Sequence, residues 1–190
     1  MNIKQLVEKT RTYRRFDGKH EIDTETLVSL VDLARLSASA ANRQPLKYIL
    51  VNDTEQRNTV FECLTWAGYF MTWEGPAADE RPSAYIIILG DKEISDSFGF
   101  DPGIAAQSIM LGATSIELGG CMIASVKKER LRSALEIPSQ FDILLVLALG
   151  KPAEQVVIEP IKKNDVKYWR DENQVHHVPK RPLDEIILRK

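Results

Sequence analysis

The stretch Ser37-Ala-Ser39-Ala-Ala-Asn42-Arg43-Gln44-Pro45 separates two segments of different hydrophobic period. Before it, Leu27, Leu30 and Ala34 recur at three- and four-residue spacing, which predicts one face of a helix. After it, the run Leu46-Lys-Tyr-Ile-Leu-Val51 is short and rich in β-branched and aromatic residues, which predicts a buried strand. The closing proline cannot continue a helix and biases the residue before it towards extended backbone. The sequence therefore predicts a helix, a small polar turn and a strand.

The side chains of this turn suit a flat ligand. Small residues allow a ring to lie against the backbone, and Asn42 and Gln44 can each donate and accept hydrogen bonds at the edge of a heterocycle. The same composition is also typical of an ordinary polar helix end followed by a turn. The turn by itself leaves both interpretations open.

Further apolar runs define the rest of the fold. Ala84-Tyr-Ile-Ile-Ile-Leu-Gly90 and Phe141-Asp-Ile-Leu-Leu-Val-Leu-Ala-Leu-Gly150 are typical of strands buried on both faces. Asp101 is the expected N-cap of a long helix with Pro102 at its first position. Strands that alternate with helices predict an α+β or α/β three-layer sandwich.

Composition excludes several classes of protein. A length of 190 residues suits a single domain, 1–190, and a net charge of −2 argues against nucleic-acid binding. No apolar run approaches the ~20 residues of a membrane span, and no secretory apolar segment lies near the start. The two cysteines have no metal-ligand spacing. We therefore expect a cytoplasmic protein with neither a membrane nor a nucleic-acid partner.

Two basic clusters lie near opposite ends of the chain. Thr10-Arg11-Thr12-Tyr13-Arg14-Arg15-Phe16 combines arginines, which pair two-pronged with phosphate, with hydroxyl donors, and Lys180-Arg181 forms a second basic pair. Such clusters are more often simply solvated surface. Neither a Gly-x-Gly-x-x-Gly fingerprint nor a Gly-Lys-Ser/Thr phosphate loop is present. Two basic clusters that converge on one phosphate, with an amide turn for a ring, would suit a mononucleotide cofactor.

Together these motifs resemble those of the nitroreductase family of flavin mononucleotide (FMN) enzymes. Arg11-Thr-Tyr-Arg14-Arg-Phe16 is similar to the family's Arg-Ser-x-Arg-x-Phe, and Ser39-Ala-Ala-Asn42-Arg-Gln44-Pro45 is similar to its Ser-x-x-Asn-x-Gln-Pro. Gly119-Gly120-Cys121 and Lys180-Arg181 complete a likeness that spans nearly the whole chain. The chain departs from the pattern at Thr10, where many members have another arginine, and at Leu46, where tryptophan is common.

The resemblance implies a fold and an assembly. The fold is a three-layer α/β/α sandwich of the α+β class, with a central mixed sheet. The assembly is a homodimer in which an extension, 151–190, wraps the partner subunit. Wrapping of the partner agrees with the composition of residues 151–190, whose prolines and polar residues could not form a core without a neighbouring surface.

The resemblance also implies a cofactor site. Arg11, Thr12 and Tyr13 would approach the FMN phosphate and ribityl chain, and Arg14 would lie near the ribityl and the pyrimidine edge. The ring would be lined by Ser39, Asn42 and Gln44. The backbone of Ala124 and Ser125 would also face the ring, although these two positions align less closely with the family. The phosphate would be covered by Lys180 and Arg181.

The implied activity is a ping-pong oxidoreduction. NADH or NADPH would supply a hydride, and a small electron-poor acceptor such as a nitroaromatic or a quinone would be reduced, with the flavin carrying the chemistry. No protein side chain is assigned as a catalytic acid or base, and no metal is expected. Two alternatives stay open: a flavin-binding dimeric scaffold without turnover, and a dedicated flavin oxidase or dehalogenase.

Overall fold

A four-stranded antiparallel sheet forms the centre of the protein, which is described by a computed structural model over residues 1–70 and 72–188. Its strands lie in the order β1-β2-β4-β3. Their bounds are Leu46–Val51 (β1), Ala84–Asp91 (β2), Gly119–Ile123 (β3) and Phe141–Gly150 (β4). Every residue of β2 is buried, as its continuous apolar run predicts. The sheet therefore needs a cover on both faces.

Helices supply that cover. On one face α2 and α4 pack against Ile86, Ile88 and Leu147, and on the other α3 and α5 pack against Ile87 and Val146. The helices are Ile3–Lys9 (α1), Thr24–Arg35 (α2), Thr54–Glu62 (α3), Asp101–Ser115 (α4), Lys128–Ala134 (α5) and Leu183–Ile186 (α6). The predicted three-layer α+β sandwich is confirmed. No helix among the described residues is long and apolar enough to cross a membrane.

Two details differ from the sequence-based predictions. Neighbouring strands of the central sheet run antiparallel in all three pairings, and the mixed pairing occurs instead in a smaller sheet. Phe100 is the N-cap of α4, so that Asp101 is its first helical residue. The Asp101 side chain is therefore available for another role.

The first basic cluster runs along the outer edge of β3. Thr12 forms a parallel bridge with Gly120, and the Tyr13 N–H donates to the Gly120 carbonyl at 2.9 Å. A Cβ at Gly120 would lie 2.2 Å from the Ala148 carbonyl oxygen, so only glycine fits here. Pairing with β3 therefore fixes the direction in which the basic residues point.

The extension after β4 folds onto its own chain. Its strands are Val156–Pro160 (β5), Trp169–Arg170 (β6) and His176–Lys180 (β7), in the order β5-β7-β6. The Ala153 N–H donates to the Arg15 carbonyl at 3.0 Å, and Phe16 bridges to Pro152. Beyond β7 the short α6 is exposed. Exchange of this extension with a partner subunit stays a prediction, as does the single-domain assignment.

Candidate functional site

Residues from both ends of the chain line one cavity of about 300 Å³, which we call the basic cavity. Arg11 and Arg14 reach it from the segment beside β3, and Lys180 reaches it from the end of β7. The remaining lining comes from Thr10, Thr12, Gln107, Met110, Met122, Tyr168, His176 and Val178. The predicted convergence of two distant basic clusters is therefore present in the structure.

Arg11 lies at the mouth of this cavity. Its Nη2 donates to the Val7 carbonyl at 2.7 Å, and burial lowers its pKa while Tyr13 acts in the opposite direction. The Tyr13 hydroxyl donates to the Lys9 carbonyl at 3.1 Å, and burial raises its pKa, so the phenol stays neutral. Tyr13 packs beside Gly119, away from the cavity lining. Arg11 therefore lines the cavity directly, whereas Tyr13 supports the segment.

Arg14 is the most buried cation of the cavity, with 8% of its surface exposed. Its Nη1 lies 3.4 Å from His176 Nε2, and its guanidinium carbon lies 4.6 Å from the centre of the Tyr168 ring. Burial is the main cause that lowers the pKa of His176 to about 4, and the positive charge of Arg14 is the next largest. His176 is therefore neutral near pH 7, and the tautomer protonated on Nδ1 can accept from Arg14 through Nε2.

A buried carboxylate joins the extension to the basic segment. Glu154 accepts hydrogen bonds from the backbone N–H groups of both Arg14 and Arg15, the latter at 3.1 Å. Its other oxygen lies 2.9 Å from Arg170 Nη2, and only 3% of the Glu154 side chain is exposed. Arg170 in turn lies over the rings of Phe70 and Trp73. These contacts hold Arg14 against the extension.

The predicted amide turn, residues 39–44, has an unusual backbone. Ala41, Asn42 and Gln44 have φ values of 50°, 54° and 53°, in the left-handed region, although none is glycine. This conformation costs roughly 1–2 kcal/mol for an ordinary L-residue and less for asparagine. The Gln44 N–H donates to Ser39 Oγ at 2.9 Å, and Gln44 Nε2 donates to the Asn42 side-chain oxygen at 3.1 Å. We call these residues the amide loop.

Asp101 anchors the amide loop to the start of α4. Ser39 Oγ donates to one carboxylate oxygen at 2.6 Å, and the Ala40 N–H donates to the other at 3.0 Å. A cavity of about 160 Å³, the loop cavity, lies beside this anchor. It is lined by Ala34, Arg35, Ser37, Ala38, Ser39, Gln44, Leu46, Tyr48, Asp101 and Ala105.

The two cavities lie on different sides of α4. Asp101 and Ala105 border the loop cavity, whereas Gln107 and Met110 border the basic cavity. Successive helical residues turn by about 100°, so these two pairs point in roughly opposite directions. Between them α4 presents the exposed Ile104. A single chain therefore does not bring the amide loop and the basic cluster into one cavity.

Other predicted site residues line neither cavity. Ala124 and Ser125 follow β3, where the Ser125 carbonyl accepts from the Thr65 N–H at 3.0 Å. Arg181 bonds to Asn164 Oδ1 at 3.1 Å and pairs with Glu185. Asn42 is exposed on the loop surface. The cofactor contacts implied for these residues stay predictions.

Several residues that contact Arg14 are not among the site residues predicted from the sequence. Glu154, Tyr168 and His176 all lie in the extension, and each touches Arg14 across more than a hundred positions of chain. The only sequence signal for them was the aromatic content of the extension and of residues 66–73. Phe70 from that aromatic stretch packs edge-on against Tyr168 and His176.

The chain is similar in fold and in sequence to known proteins. The fold matches a nitroreductase family protein from Streptococcus pneumoniae with a TM-score of 0.71, covering 100% of both chains at 18% identity. An FMN-dependent nitroreductase from Clostridium difficile matches with a TM-score of 0.65 at 25% identity, over 84% of this chain and 91% of that chain. A protein of Archaeoglobus fulgidus named "Putative NADH dehydrogenase/NAD(P)H nitroreductase" is 27% identical over 154 residues, 77% of this chain and 83% of its own.

The family model for the nitroreductase family matches residues 7–85 and 81–151. The matched ranges include the basic segment, the amide loop and all four strands of the central sheet. The chain belongs to the nitroreductase family and is an oxidoreductase.

Proposed function

We propose that this protein binds FMN and uses NADH or NADPH to reduce small electron-poor acceptors such as nitroaromatics or quinones. One observation carries the proposal: Arg11, Arg14 and Lys180, from opposite ends of the chain, line a single cavity. The names of the Clostridium difficile and Archaeoglobus fulgidus relatives support the cofactor and the reductant. Two free, buried cysteines suit a reducing compartment, in keeping with a cytoplasmic location.

The donors in the basic cavity fit a phosphate. The Nε atoms of Arg11 and Arg14 are buried and have no hydrogen-bond partner among the described residues. Guanidinium groups bind phosphate oxygens through charge-assisted bonds, and Lys180 adds a third positive charge. A volume of about 300 Å³ is at the lower end for a ligand site, so it suits the phosphate and ribityl part of FMN and leaves most contacts to the ring beyond Arg14 to other residues.

A second subunit would supply the remaining contacts. Because the two cavities lie on different sides of α4, a two-fold dimer that packs α4 against its symmetry mate can place the amide loop of one subunit beside the basic cavity of the other. The exposed Ile104 between the cavities is available for such packing. We therefore propose a homodimer in which Asn42 and Gln44 serve the ring bound mainly by the partner.

Bound FMN would supply the hydride and electron transfer between the nicotinamide and the acceptor. The protein's contribution is binding and electrostatics. Arg14 is a fixed, largely buried cation beside the cofactor cavity, where it would stabilise negative charge that develops on reduction. Neutral His176 adds no competing charge, and Met110, Met122 and Tyr168 contribute apolar atoms to the cavity wall.

Absorption spectroscopy tests the proposal directly. We expect the purified protein to be yellow and to bleach when NADH or NADPH is added without oxygen. A colourless protein that FMN does not stabilise against heat contradicts the proposal. Bound FMN that neither nicotinamide reduces would favour a scaffold role instead. A panel of nitroaromatic, quinone and other acceptors then distinguishes a general reductase from a dedicated enzyme.

A further inference from the structure

Asp101 is buried to 4% exposure, yet its carboxylate does not serve its own helix. Phe100 occupies the N-cap position of α4 and makes no side-chain capping bond. Both oxygens of Asp101 instead accept hydrogen bonds from the amide loop, from Ser39 Oγ at 2.6 Å and from the Ala40 N–H at 3.0 Å. A buried carboxylate whose two oxygens face the same loop is well placed to set that loop's conformation.

The bond from Ser39 has a defined direction. Asp101 as a carboxylate can only accept, so the single Ser39 hydroxyl proton points towards it. The lone pairs of Ser39 Oγ are then free to accept the Gln44 N–H at 2.9 Å. Asp101 thus controls both ends of the loop, the first end directly at Ala40 and the second through Ser39.

The loop needs such an anchor because its backbone is strained. Ala41, Asn42 and Gln44 all have positive φ, and such conformations persist only where the surroundings impose them. Gln44 Nε2 donates to the carbonyl and side-chain oxygens of Asn42 at 3.2 and 3.1 Å, so these two amides are placed as a unit. Their positions depend on the hydrogen bonds that begin at Asp101.

We propose that Asp101 is a positioning residue for the cofactor: its carboxylate holds the amide loop in the strained conformation that presents Asn42 and Gln44 to the flavin ring. This inference rests on the proposed function, because it concerns the same cofactor. It adds a residue that would not itself contact the ring and that lies 62 positions along the chain from Ser39.

Three variants test this role. Asp101→Ala removes both acceptors. Asp101→Asn keeps an oxygen for the Ala40 N–H and can donate through its NH2 to Ser39 Oγ, so it should restore most of the function. Asp53→Ala is the matched control, because Asp53 also accepts two backbone N–H bonds, from Glu55 and Gln56, but at the start of α3.

The measurements are amide hydrogen exchange at Ala40 and Gln44, the FMN dissociation constant, and the visible absorption spectrum of bound FMN. For Asp101→Ala we expect exchange at both amides to accelerate at least tenfold, FMN to bind at least tenfold more weakly, and the flavin band to shift. Asp53→Ala should lower the melting temperature and leave all three quantities as in the wild type. If Asp101→Ala does not fold, Ser39→Ala takes its place, because it removes the hydroxyl that joins Asp101 to the Gln44 N–H and keeps the bond from the Ala40 N–H to Asp101.

The outcomes separate this inference from the proposed function. Wild-type protein that does not bind FMN overturns both. Wild-type binding together with unchanged exchange and affinity in Asp101→Ala overturns the positioning role alone. Equal losses of affinity in Asp53→Ala and Asp101→Ala would also overturn it, since general destabilisation would then account for the effect.

Discussion

The basic cavity and the amide loop are built in contrasting ways. Arg14 and His176, which meet in the basic cavity, are 162 positions apart in sequence, and Glu154 is 140 positions from the Arg14 backbone that it binds. In the amide loop, Gln44 bonds to Ser39 only five positions away, and one buried carboxylate anchors the loop to α4. The basic cavity therefore depends on the whole chain, and the loop depends mainly on one helix.

This difference shows where each region is vulnerable. The basic cavity is held by buried charges, which are costly to leave unpaired. The amide loop is held by hydrogen bonds around a strained backbone, so loss of these bonds would change the loop's conformation and leave the rest of the fold intact. Variants that affect one region and spare the other test the contrast.

Glu154→Ala should have the largest effect. It leaves Arg170 without its carboxylate and removes the acceptor of two backbone N–H groups, a loss of about 3–5 kcal/mol for a broken buried pair. We expect the melting temperature to fall by roughly 10 °C and FMN affinity to be lost, with hydrogen exchange at Gln44 unchanged in the folded protein. Calorimetry and FMN titration measure these changes.

Glu62→Ala is the control for that variant. Glu62 pairs with Arg130, and both side chains are more than half exposed, so its removal should cost less than about 1 kcal/mol. Equal melting temperatures for the two variants would show that the buried pair does not hold the extension in place.

Arg14→Ala should weaken FMN binding more than it destabilises the fold. Loss of a charge-assisted bond corresponds to about 1.5–3 kcal/mol, or roughly 10–100-fold in FMN affinity. Flavin fluorescence titration measures the change. Lys128→Ala, which removes an exposed positive charge at the start of α5, should bind FMN as the wild type does. Wild-type affinity in Arg14→Ala would contradict the proposed contact between Arg14 and FMN.

Asn42→Ala tests the loop half of the contrast. It removes the side-chain acceptor of Gln44 and puts alanine at a φ of 54° that asparagine tolerates better. We expect FMN to bind up to about tenfold more weakly, or to be reduced more slowly in stopped-flow measurements. The free energy of unfolding should fall by about 1 kcal/mol. Asn42→Gly relieves the strain without restoring the amide, so a full recovery with glycine would assign the effect to the backbone.

The adjacent histidines of β7 should respond to pH with opposite signs. The pKa of His176 is lowered to about 4, so between pH 6.5 and 4 the unfolded chain holds a proton that the folded chain lacks, and stability falls as the solution becomes more acidic. Burial lowers the pKa of His177, but bonds to Glu159 and Asp171 outweigh it and raise the pKa. The stabilisation from His177 is therefore complete below its unfolded pKa and is lost as pH rises through its folded pKa.

Melting curves from pH 4 to 9 resolve the two effects. His176→Gln should reduce the acid loss, and His177→Gln should reduce the alkaline loss, each by a few degrees. Because His176 faces the basic cavity and His177 faces away from it, only the His176 substitution should alter FMN affinity. The same pH profile for both variants would contradict the assignment.

The sequence was most informative where the pattern was local. The period change around the amide loop and the apolar runs of β2 and β4 predicted their elements correctly. The arginines of the basic segment were identified as ligand-binding candidates because their side-chain chemistry suits phosphate whatever the fold. The three-layer arrangement followed from the order of these elements.

Residues that act across long sequence separations could not be found in this way. Glu154 carries no local signal of its bonds to Arg14 and Arg15. The positive φ values at Ala41 and Gln44 were equally hidden, because glycine, the usual marker of that conformation, is absent from the loop. Asp101 followed the N-cap pattern closely enough to be assigned to its own helix, whereas tertiary contacts direct it to the loop.

The pairing of Thr12 and Tyr13 with Gly120, together with the bonds from Glu154, has a consequence for biosynthesis. The basic segment is oriented by a strand that is synthesised much later, and it is secured by an extension that is synthesised later still. A nascent chain can therefore form the sheet and the amide loop before it has any affinity for phosphate. We expect cofactor uptake only after the extension has been synthesised and has folded onto the basic segment.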